Sequence, residues 1–213
     1  MGYVMFRQEE SEQGRPFSRR EEAKLIERAK RRDAVALRAL IEAHQQRLFA
    51  FVWRIVRNRD DAEELCQEAF LRAFSALDTF DENYRFSTWL FTIAYRLTLN
   101  SLRRKRPGTP DIDLSTLAGQ EVVEDRTAHS EEVRELKAAV WSAVDQLSPP
   151  QRAAMLLYYK QEMSCQEIAE VLEIPVATVK SHLHRARARL KDLLEEKIGE
   201  GTERSRILQE WAG

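Results

Sequence analysis

Hydrophobic residues recur along most of the chain at steps of three and four positions, which is the period of an amphipathic helix rather than of a strand. The pattern predicts eight helices, at about residues 18–33, 36–55, 61–77, 87–106, 130–147, 150–158, 164–172 and 176–193. Residues that can satisfy the free N–H groups of a first turn stand at the helix starts. We predict such starts at Ser18, Asp60 or Asp61, Ser87, Ser130 and Ser164, and a further start at Pro150, which suits a first turn because it lacks an N–H. The chain is therefore expected to be all-α.

The last two predicted helices are separated by a tight corner. Ser164 and Glu167 form a capping-box pattern at the start of the first. Pro175 is disfavoured inside a helix but fits a first turn, so the second helix should begin near Val176. The apolar stripe of this second helix consists of Val179, Leu183, Ala186, Leu190 and Leu193. Two short helices joined in this way predict a helix-turn-helix.

The opposite face of that second helix is small, polar and basic. It carries Ala177, Ser181, His184, Arg185 and Ala188, with Lys180 and Arg187 at its flanks. Residues 176–191 include five basic residues and no acidic one. Such a helix can approach phosphates and reach base edges in a major groove, so we predict DNA binding. The alternative is a solvated basic face on an ordinary helical hairpin.

Charge is segregated along the chain, although 34 basic and 35 acidic residues nearly balance. Residues 60–68 carry five acidic residues and no basic one, whereas residues 85–106 carry six basic residues and no acidic one. This segregation indicates two kinds of partner. The acidic segment also suits the helix dipole at a helix start, so a protein-docking face and a purely local role both remain open from the residues alone.

The basic segment covers the fourth predicted helix and the end of the loop before it, where aromatic rings accompany the cations. Tyr84, Arg85 and Phe86 lie at the loop end, and Arg96 lies on the helix. Rings beside cations can stack on single-stranded or flipped bases while the cations contact phosphates. Aromatic residues at helical spacing are more often core residues, and the spacing favours that role for Trp89 as well as for Phe91.

The region between the fourth and fifth helices has no sustained period. From Asp111 to Glu135 it contains eight acidic and two basic residues, so it is either a solvated linker or a segment that enters a basic channel meant for nucleic acid. The predicted organisation is a flexible leader at 1–18, a helical domain at 19–107, an acidic linker at 108–129, a helix-turn-helix domain at 130–198 and a tail at 199–213.

No catalytic site, metal site or cofactor is predicted. Cys66 and Cys165 are too few and too isolated for a disulfide framework or a zinc site, and we expect structural thiols. His44 lies on an apolar stripe and should be a half-buried histidine without metal. His182 and His184 fall on different helix faces, and no nucleophile with a base or glycine-rich phosphate loop is evident.

No membrane segment or export signal is predicted either. The longest apolar run, residues 153–159, is far shorter than the roughly 20 residues that span a bilayer. Residues 1–17 lack a signal-peptide core. We therefore expect a cytoplasmic protein.

Three stretches together resemble a known family. They are DDAEELCQEAFLRAFSALDTFD, FSTWLFTIAYRLTLNSLRRKRP and LSPPQRAAMLLYYKQEMSCQEIAEVLEIPVATVKSHLHRARARL. Over about residues 21–106 and 130–195 the sequence is similar to sigma-70 family RNA polymerase sigma factors of the extracytoplasmic function (ECF) class. The resemblance implies that the third helix docks on the clamp helices of the largest polymerase subunit. It also implies that the linker threads towards the active site and the RNA exit path.

The resemblance assigns three contact surfaces. The core polymerase set is Asp61, Glu64, Gln67 and Glu68. The set for reading and melting the minus-10 element is Phe80, Tyr84, Arg85, Phe86, Trp89, Arg96, Asn100, Arg103 and Arg104. The minus-35 set is Ala177, Thr178, Lys180, Ser181, His184, Arg185 and Arg187. Many family members carry Asn at the position of Arg96, so the minus-10 base sequence is not predicted.

We therefore expect a dissociable transcription initiation factor that is not an enzyme. Its expected partners are core RNA polymerase, promoter DNA and, by resemblance, an anti-sigma factor. One alternative is a stand-alone helix-turn-helix regulator, which leaves the acidic third helix and the basic fourth helix unexplained. Another is a helical protein-interaction adaptor with solvated charges.

Overall fold

The computed structural model of the chain describes residues 17–105 and 131–198, and its helices and turns in these ranges include no strand. The helices are α1 (Arg19–Lys30), α2 (Ala34–Val56), α3 (Arg59–Ser75), α4 (Phe86–Lys105), α5 (Glu131–Val144), α6 (Pro149–Tyr159), α7 (Cys165–Leu172) and α8 (Val176–Ile198). The all-α prediction is confirmed for these residues. The predicted linker and tail, the cap Ser130, and all but the last two residues of the predicted leader lie outside them.

The predicted capping box at Ser164 is present, and the predicted cap Ser18 also forms one. At α1 the Ser18 hydroxyl accepts from the Glu21 amide at 3.3 Å, and the Glu21 carboxylate accepts from the Ser18 amide at 3.0 Å. At α7 the corresponding distances between Ser164 and Glu167 are 3.2 and 2.8 Å. Each pair satisfies two amide groups that a helix start leaves without intrahelical partners.

Three predicted starts were wrong by one to three residues. The cap of α3 is Asn58, whose side-chain oxygen accepts from the Asp61 amide at 2.9 Å, so Asp61 already lies in the first turn. Helix α4 begins at Phe86, before the predicted cap Ser87. The amide of Phe86 donates to the Glu22 carboxylate of α1 at 3.4 Å, a cap supplied by a distant helix. A short 3-10 turn at Leu77–Thr79 ends the α3 region.

Helix α6 begins one residue earlier than predicted. Pro149 is its first residue, and Ser148 caps it together with Gln151, whose side-chain oxygen accepts from the Ser148 amide at 3.3 Å. Either proline suits the first turn, where a missing N–H costs nothing. The preceding Ser is the residue that fixes the boundary.

The N-terminal unit, α1–α4, is built around the long apolar stripe of α2, which contacts the other three helices. Leu48, Phe51 and Ile55 are fully buried on this stripe. The Phe51 ring lies 5.2 Å from that of Phe91 on α4, centroid to centroid. Burying such a side chain stabilises the fold by about 1.5–3 kcal/mol. The packing also brings α3 and α4 against each other, and the faces of both helices that point away from the core are exposed to solvent.

The C-terminal unit, α5–α8, is packed on the inner face of α8. All five residues of the predicted apolar stripe are buried, namely Val179, Leu183, Ala186, Leu190 and Leu193. Glu173 ends α7 in the left-handed region, with φ 56, and Pro175 accepts from the Thr178 amide at 2.8 Å as α8 begins. The predicted corner and the division of α8 into two faces are confirmed.

The two units contact each other, with α4 against α7 and α2 against α6. Arg152 of α6 lies at this junction and is 1% exposed. Its guanidinium donates to the carbonyl of Arg54 on α2 at 3.0 Å. It also donates to the carbonyls of Val144, Asp145 and Leu147 around the end of α5. Burial lowers the pKa of Arg152 to about 10, so the group stays protonated at neutral pH.

Among the described helices, none combines the length and the apolar character that a membrane span requires.

Candidate nucleic-acid and polymerase interfaces

The predicted minus-35 face is the outer surface of α8. Ala177, Lys180, Ser181, His184 and Arg185 are exposed, whereas Thr178 is half-buried at the first turn. The Ser181 hydroxyl donates to the Ala177 carbonyl at 3.0 Å, and Nε of Arg185 donates to the Ser181 carbonyl at 3.3 Å. These local bonds leave the outer guanidinium nitrogens of Arg185 directed away from the core.

Arg187 differs from the rest of the minus-35 set because it is held at the flank of the helix. Its Nε donates to the hydroxyl of Tyr159 on α6 at 2.9 Å. Its guanidinium carbon lies 5.6 Å from the Tyr158 ring and 5.8 Å from the Tyr159 ring. These contacts hold the Arg187 guanidinium in place beside the exposed face of α8. A DNA contact by Arg187 stays a prediction.

The aromatic residues of the minus-10 set are divided between the core and the surface. Phe80 and Phe86 are buried, Trp89 is half-buried, and Tyr84 is the one exposed member of these four, at 50%. Ring centroids are 5.1 Å apart for Phe80 and Trp89, and 6.0 Å apart for Phe86 and Trp89. In this conformation the two phenylalanines pack under the loop on the core side. A direct contact of these two rings with DNA stays a prediction.

His44 closes this aromatic cluster from α2. It is 3% exposed, and its ring centroid lies 5.4 Å from that of Phe86. Its Nε2 lies 3.7 Å from Glu22 Oε1. Burial, aided by the charge of Arg47, lowers the pKa of His44 from 6.5 to about 4, so the folded protein holds a neutral imidazole. Burial raises the pKa of Glu22.

The two shifts predict how stability depends on pH. Below about pH 6.5 an unfolded chain takes up a proton on His44 that the folded chain refuses until about pH 4, so this contribution to stability is lost as pH falls. Glu22 acts in the opposite direction because its folded carboxyl keeps a proton longer as pH rises. Comparing His44→Gln with the parent at each pH separates the two groups.

We compare the free energy of unfolding of the parent with that of His44→Gln. The parent value minus the variant value should fall by about 2 kcal/mol between pH 7 and pH 4.5. Urea unfolding followed by circular dichroism at several pH values measures this difference. A difference that is constant with pH would mean that the imidazole titrates alike in the folded and unfolded chains.

The cationic members of the minus-10 set, together with Asn100, lie on the outer side of α4 or at its start. Arg96, Asn100, Arg103 and Arg104 are exposed and fall on neighbouring turns, and Arg85 is exposed at the helix start. Arg96 donates to the carboxylate of Glu173, with Nε 2.8 Å from Oε1. Arg85 Nε lies 3.9 Å from Glu167 Oε1. The structure therefore brings the predicted cations together and sets two of them against carboxylates of the C-terminal unit.

The predicted polymerase-docking residues lie on the outer face of α3. Glu64 and Gln67 are exposed, Asp61 is half-buried, and Glu68 pairs with Arg72 at 2.7 Å. The same face carries Leu71, which is 64% exposed. Sequence reasoning missed this residue, although it is an apolar side chain outside the stripe of α3. Single exposed apolar side chains are common on protein surfaces, so a polymerase contact by Leu71 is a proposal that rests on its position on the α3 face.

Cys66 lacks the features of a redox centre. Cys66 is buried, and burial together with the charge of Glu63 raises the pKa of its thiol to about 12, so the reactive thiolate is not formed near neutral pH. Cys165 is a free thiol in the first turn of α7. Within residues 17–105 and 131–198 no three His, Cys, Asp or Glu side chains are grouped to hold a metal ion.

These surfaces define a helical DNA-binding protein with a helix-turn-helix in one unit and a second basic surface in the other. The family model for Sigma-70 region 2 matches residues 40–107, and that for Sigma-70, region 4 matches residues 137–190. The chain belongs to the sigma-70 family of RNA polymerase sigma factors, in the ECF class. The α3 and α4 surfaces lie within the first match, and α7 and residues 176–190 of α8 lie within the second.

Three relatives in different bacteria each match more than four fifths of the chain. ECF RNA polymerase sigma factor SigW of Bacillus subtilis is 33% identical over 81% of this chain and 96% of its own length. RNA polymerase sigma-H factor of Pseudomonas aeruginosa is 30% identical over 86% of this chain and 99% of its own length. ECF RNA polymerase sigma-E factor of Escherichia coli is 31% identical over 82% of this chain and 94% of its own length.

Solved structures share the fold. CnrH, in a complex with the cytosolic domain of CnrY, is 26% identical with a TM-score of 0.61, over 82% of this chain and 97% of CnrH. The sigma factor RpoE of Bartonella quintana, solved with the anti-sigma factor NepR, is 22% identical with a TM-score of 0.58. The match covers 85% of this chain and 97% of RpoE. The two-unit helical architecture is therefore that of known sigma factors.

Proposed function

We propose that the protein binds core RNA polymerase through the outer face of α3 and directs it to promoters with two separate elements. The outer face of α8 contacts the minus-35 element as duplex, and the α4 surface with Tyr84 contacts the melted minus-10 element. The factor supplies recognition and melting while the polymerase performs the chemistry, so the factor itself is not an enzyme. It works in the cytoplasm, where an anti-sigma factor controls it.

One observation carries this proposal. The first three turns of α8 bury an apolar stripe on one side and expose small, polar and basic residues on the other, directly after a capped helix and a tight corner. This is the geometry with which a recognition helix enters a major groove. The second basic surface, on α4, supports a further contact with unpaired DNA, because rings and cations together bind single strands.

Reconstituted transcription tests the proposal. Core polymerase is mixed with the purified protein and a library of promoter fragments, and transcripts are sequenced to find their start sites. We expect the protein to co-purify with core polymerase and to yield transcripts whose upstream regions share two spaced elements. A protein that neither binds core polymerase nor directs a transcript is not a sigma factor.

The exposed leucine of α3 yields a residue-level prediction for polymerase binding. Replacing Leu71 with Ala should weaken the affinity for core polymerase by about tenfold, or 1.4 kcal/mol, because an apolar anchor on the docking face is lost. Stability should change by less than about 0.5 kcal/mol, since the side chain is 64% exposed. Fluorescence anisotropy of the labelled factor titrated with core polymerase measures the change.

A matched control is available at the start of α2. Val35 is the other strongly exposed aliphatic side chain in the described part of the chain, at 68%, and it lies outside the docking face. Val35→Ala should bind core polymerase as the parent does. Equal affinities for the Leu71 and Val35 variants would place the polymerase contact elsewhere.

A further inference from the structure

The first helix carries an excess of positive charge that none of the three contact surfaces uses. Over residues 19–33 the chain has seven basic and four acidic residues, which leaves a net charge of +3. An excess of this kind on an exposed helix is either a solvated face or the binding site of an anionic partner. The exposed residues of α1 are all charged, namely Arg19, Arg20, Glu21, Lys24, Glu27 and Arg28.

The four carboxylates of this segment are each engaged inside the N-terminal unit. Glu27 pairs with Lys30 at 2.8 Å, and Asp33 pairs with Arg28 at 2.8 Å. Glu22 is half-buried, and its carboxylate accepts from the first amide of α4 at 3.4 Å. The fourth carboxylate belongs to the capping box of α1. Because these negative charges are held in local bonds, the outer cations dominate the charge that a partner meets.

The outer cations of α1 form a stripe. Arg20, Lys24 and Arg28 follow one another at steps of four residues, and Arg31 lies at the end of the helix. With about 100° per residue, the first three fall within an arc of about 80°, and the rise of about 1.5 Å per residue spreads all four over about 16 Å. Phosphates of one DNA strand follow one another at about 3.4 Å along the duplex axis, so this basic stripe can meet more than one of them.

Helix α1 borders the minus-10 surface. Lys30 Nζ lies 3.1 Å from Oε1 of Glu82, which belongs to the loop before α4. Glu22 lies within reach of cations from both helices: burial raises its pKa, and the charges of Arg85 and Arg19 oppose that rise. The positive surface at the start of α4 therefore continues onto α1, and a DNA strand that passes the loop meets α1 next.

The chemistry of the basic stripe favours DNA over a protein partner. The α3 face carries exposed Leu71, whereas none of the exposed residues of α1 is apolar. The centre of a protein interface is enriched in aromatic residues and depleted in charged ones. Backbone phosphates, in contrast, are bound by lysine and arginine side chains without any apolar contact.

We propose that the basic stripe of α1 is a third DNA contact, which binds backbone phosphates next to the melted minus-10 element. The inference rests on the proposed function, because it takes α4 and the loop before it as the site of minus-10 contact. Phosphate contacts carry no base sequence, so the stripe strengthens binding at every promoter without choosing among them.

The double variant Arg20→Gln with Lys24→Gln tests the stripe because it removes two exposed charges and leaves polar side chains that suit a helix. Filter binding of the reconstituted polymerase to a promoter fragment is measured over a range of salt concentrations. We expect the α1 variant to bind about tenfold more weakly than the parent at low salt. The slope of log affinity against log salt should be smaller by about 1.5, since two phosphate contacts are lost.

Arg189→Gln with Lys191→Gln is the matched control. It changes the net charge by the same amount through two exposed cations in the last turns of α8, outside the three contact sets. The control should bind promoter DNA within about twofold of the parent and keep the parent's salt slope. Equal losses in the two double variants would show a general effect of net charge and would overturn the third contact.

Neutral methylphosphonate linkages locate the contact on the DNA. They replace single phosphates in and beside the minus-10 element, one position at a time. We expect at least one position beside the element at which the neutral linkage weakens binding of the parent but not of the α1 variant. If no position beside the element behaves in this way, the proposed placement of the DNA is wrong.

Binding to core polymerase separates DNA from a protein partner. The labelled α1 variant should bind core polymerase with the parent's affinity, and circular dichroism should show an unchanged fold. Weaker polymerase binding with an unchanged salt slope for DNA would assign the stripe to an acidic protein surface and overturn the inference.

Transcription separates the third contact from the function beneath it. If the parent directs transcripts while the α1 variant and the control bind promoter DNA alike, only the third contact is overturned. If the parent neither binds core polymerase nor directs a transcript, the proposed function fails and the third contact fails with it.

Discussion

Arg152→Ala is expected to lower the free energy of unfolding of the C-terminal unit by about 3–5 kcal/mol. The guanidinium is 1% exposed and donates to the carbonyls of four residues, which are Arg54, Val144, Asp145 and Leu147. Truncation leaves these oxygens without their donor and opens a cavity where the side chain lay. Urea unfolding monitored by circular dichroism measures the loss.

Two control variants distinguish the hydrogen bonds from the charge. Arg152→Lys keeps the charge but has fewer donors in a different geometry, so it should lie between the parent and the Ala variant. Arg189→Ala removes an exposed arginine from α8 and should change stability by less than about 0.5 kcal/mol. A loss of under about 1 kcal/mol in Arg152→Ala would show that water replaces the guanidinium at little cost.

Arg185→Ala is expected to reduce promoter affinity of the polymerase complex by about 1–3 kcal/mol while folding is unchanged. Arg185 is exposed on the outer face of α8, and its Nε bond to the Ser181 carbonyl leaves the two terminal guanidinium nitrogens available to phosphates or base edges. Filter binding of the reconstituted polymerase to promoter fragments measures affinity, and circular dichroism checks the fold.

Lys191→Ala is the matched control for Arg185→Ala. It removes one positive charge from the same helix at a position rotated by about 240° from Arg185. We expect it to reduce promoter affinity much less than Arg185→Ala. Similar losses in the two variants would indicate a general effect of net charge, and no loss in either would assign this part of α8 to solvent.

The helix-turn-helix could be predicted from the sequence almost completely because its signals are local. The Ser164 and Glu167 capping box, the Pro175 corner and the period of α8 each involve residues within a few positions of one another. The geometry that results was therefore available without knowledge of the rest of the chain. The start of α4 could not be predicted in this way, because the first amide of that helix bonds to Glu22, 64 positions away in the sequence.

The minus-10 surface shows a different limit of sequence reasoning. Tyr84 and Phe86 are two positions apart and equally aromatic, yet the first is 50% exposed and the second is fully buried. Which ring turns inward depends on the packing of the loop against His44 and the start of α4, and a loop has no period from which to infer it. Composition identified the surface but not the residues that form its outer layer.

Long-range charge pairing was likewise invisible in the sequence. The basic character of α4 was evident, but no local pattern indicated that Glu173 would be its partner. That Arg96 and Glu173 meet follows from the packing of α4 on α7, which depends on the whole fold. The same is true of Leu71, whose exposure becomes evident only when the buried stripe of α3 is fixed by its neighbours.

The position of Arg54 gives the molecule a built-in optical signal. This side chain of α2 lies 4.7 Å from the ring of Trp53 in its own unit and 3.8 Å from the ring of Trp141 in the other. When the units part, the Trp141 indole exchanges a packed cation for water, which moves its emission to longer wavelength. Because the chain has four tryptophans, the Trp141 part of this signal is obtained by comparing the parent with Trp141→Phe, and we expect that difference to follow the state of the junction.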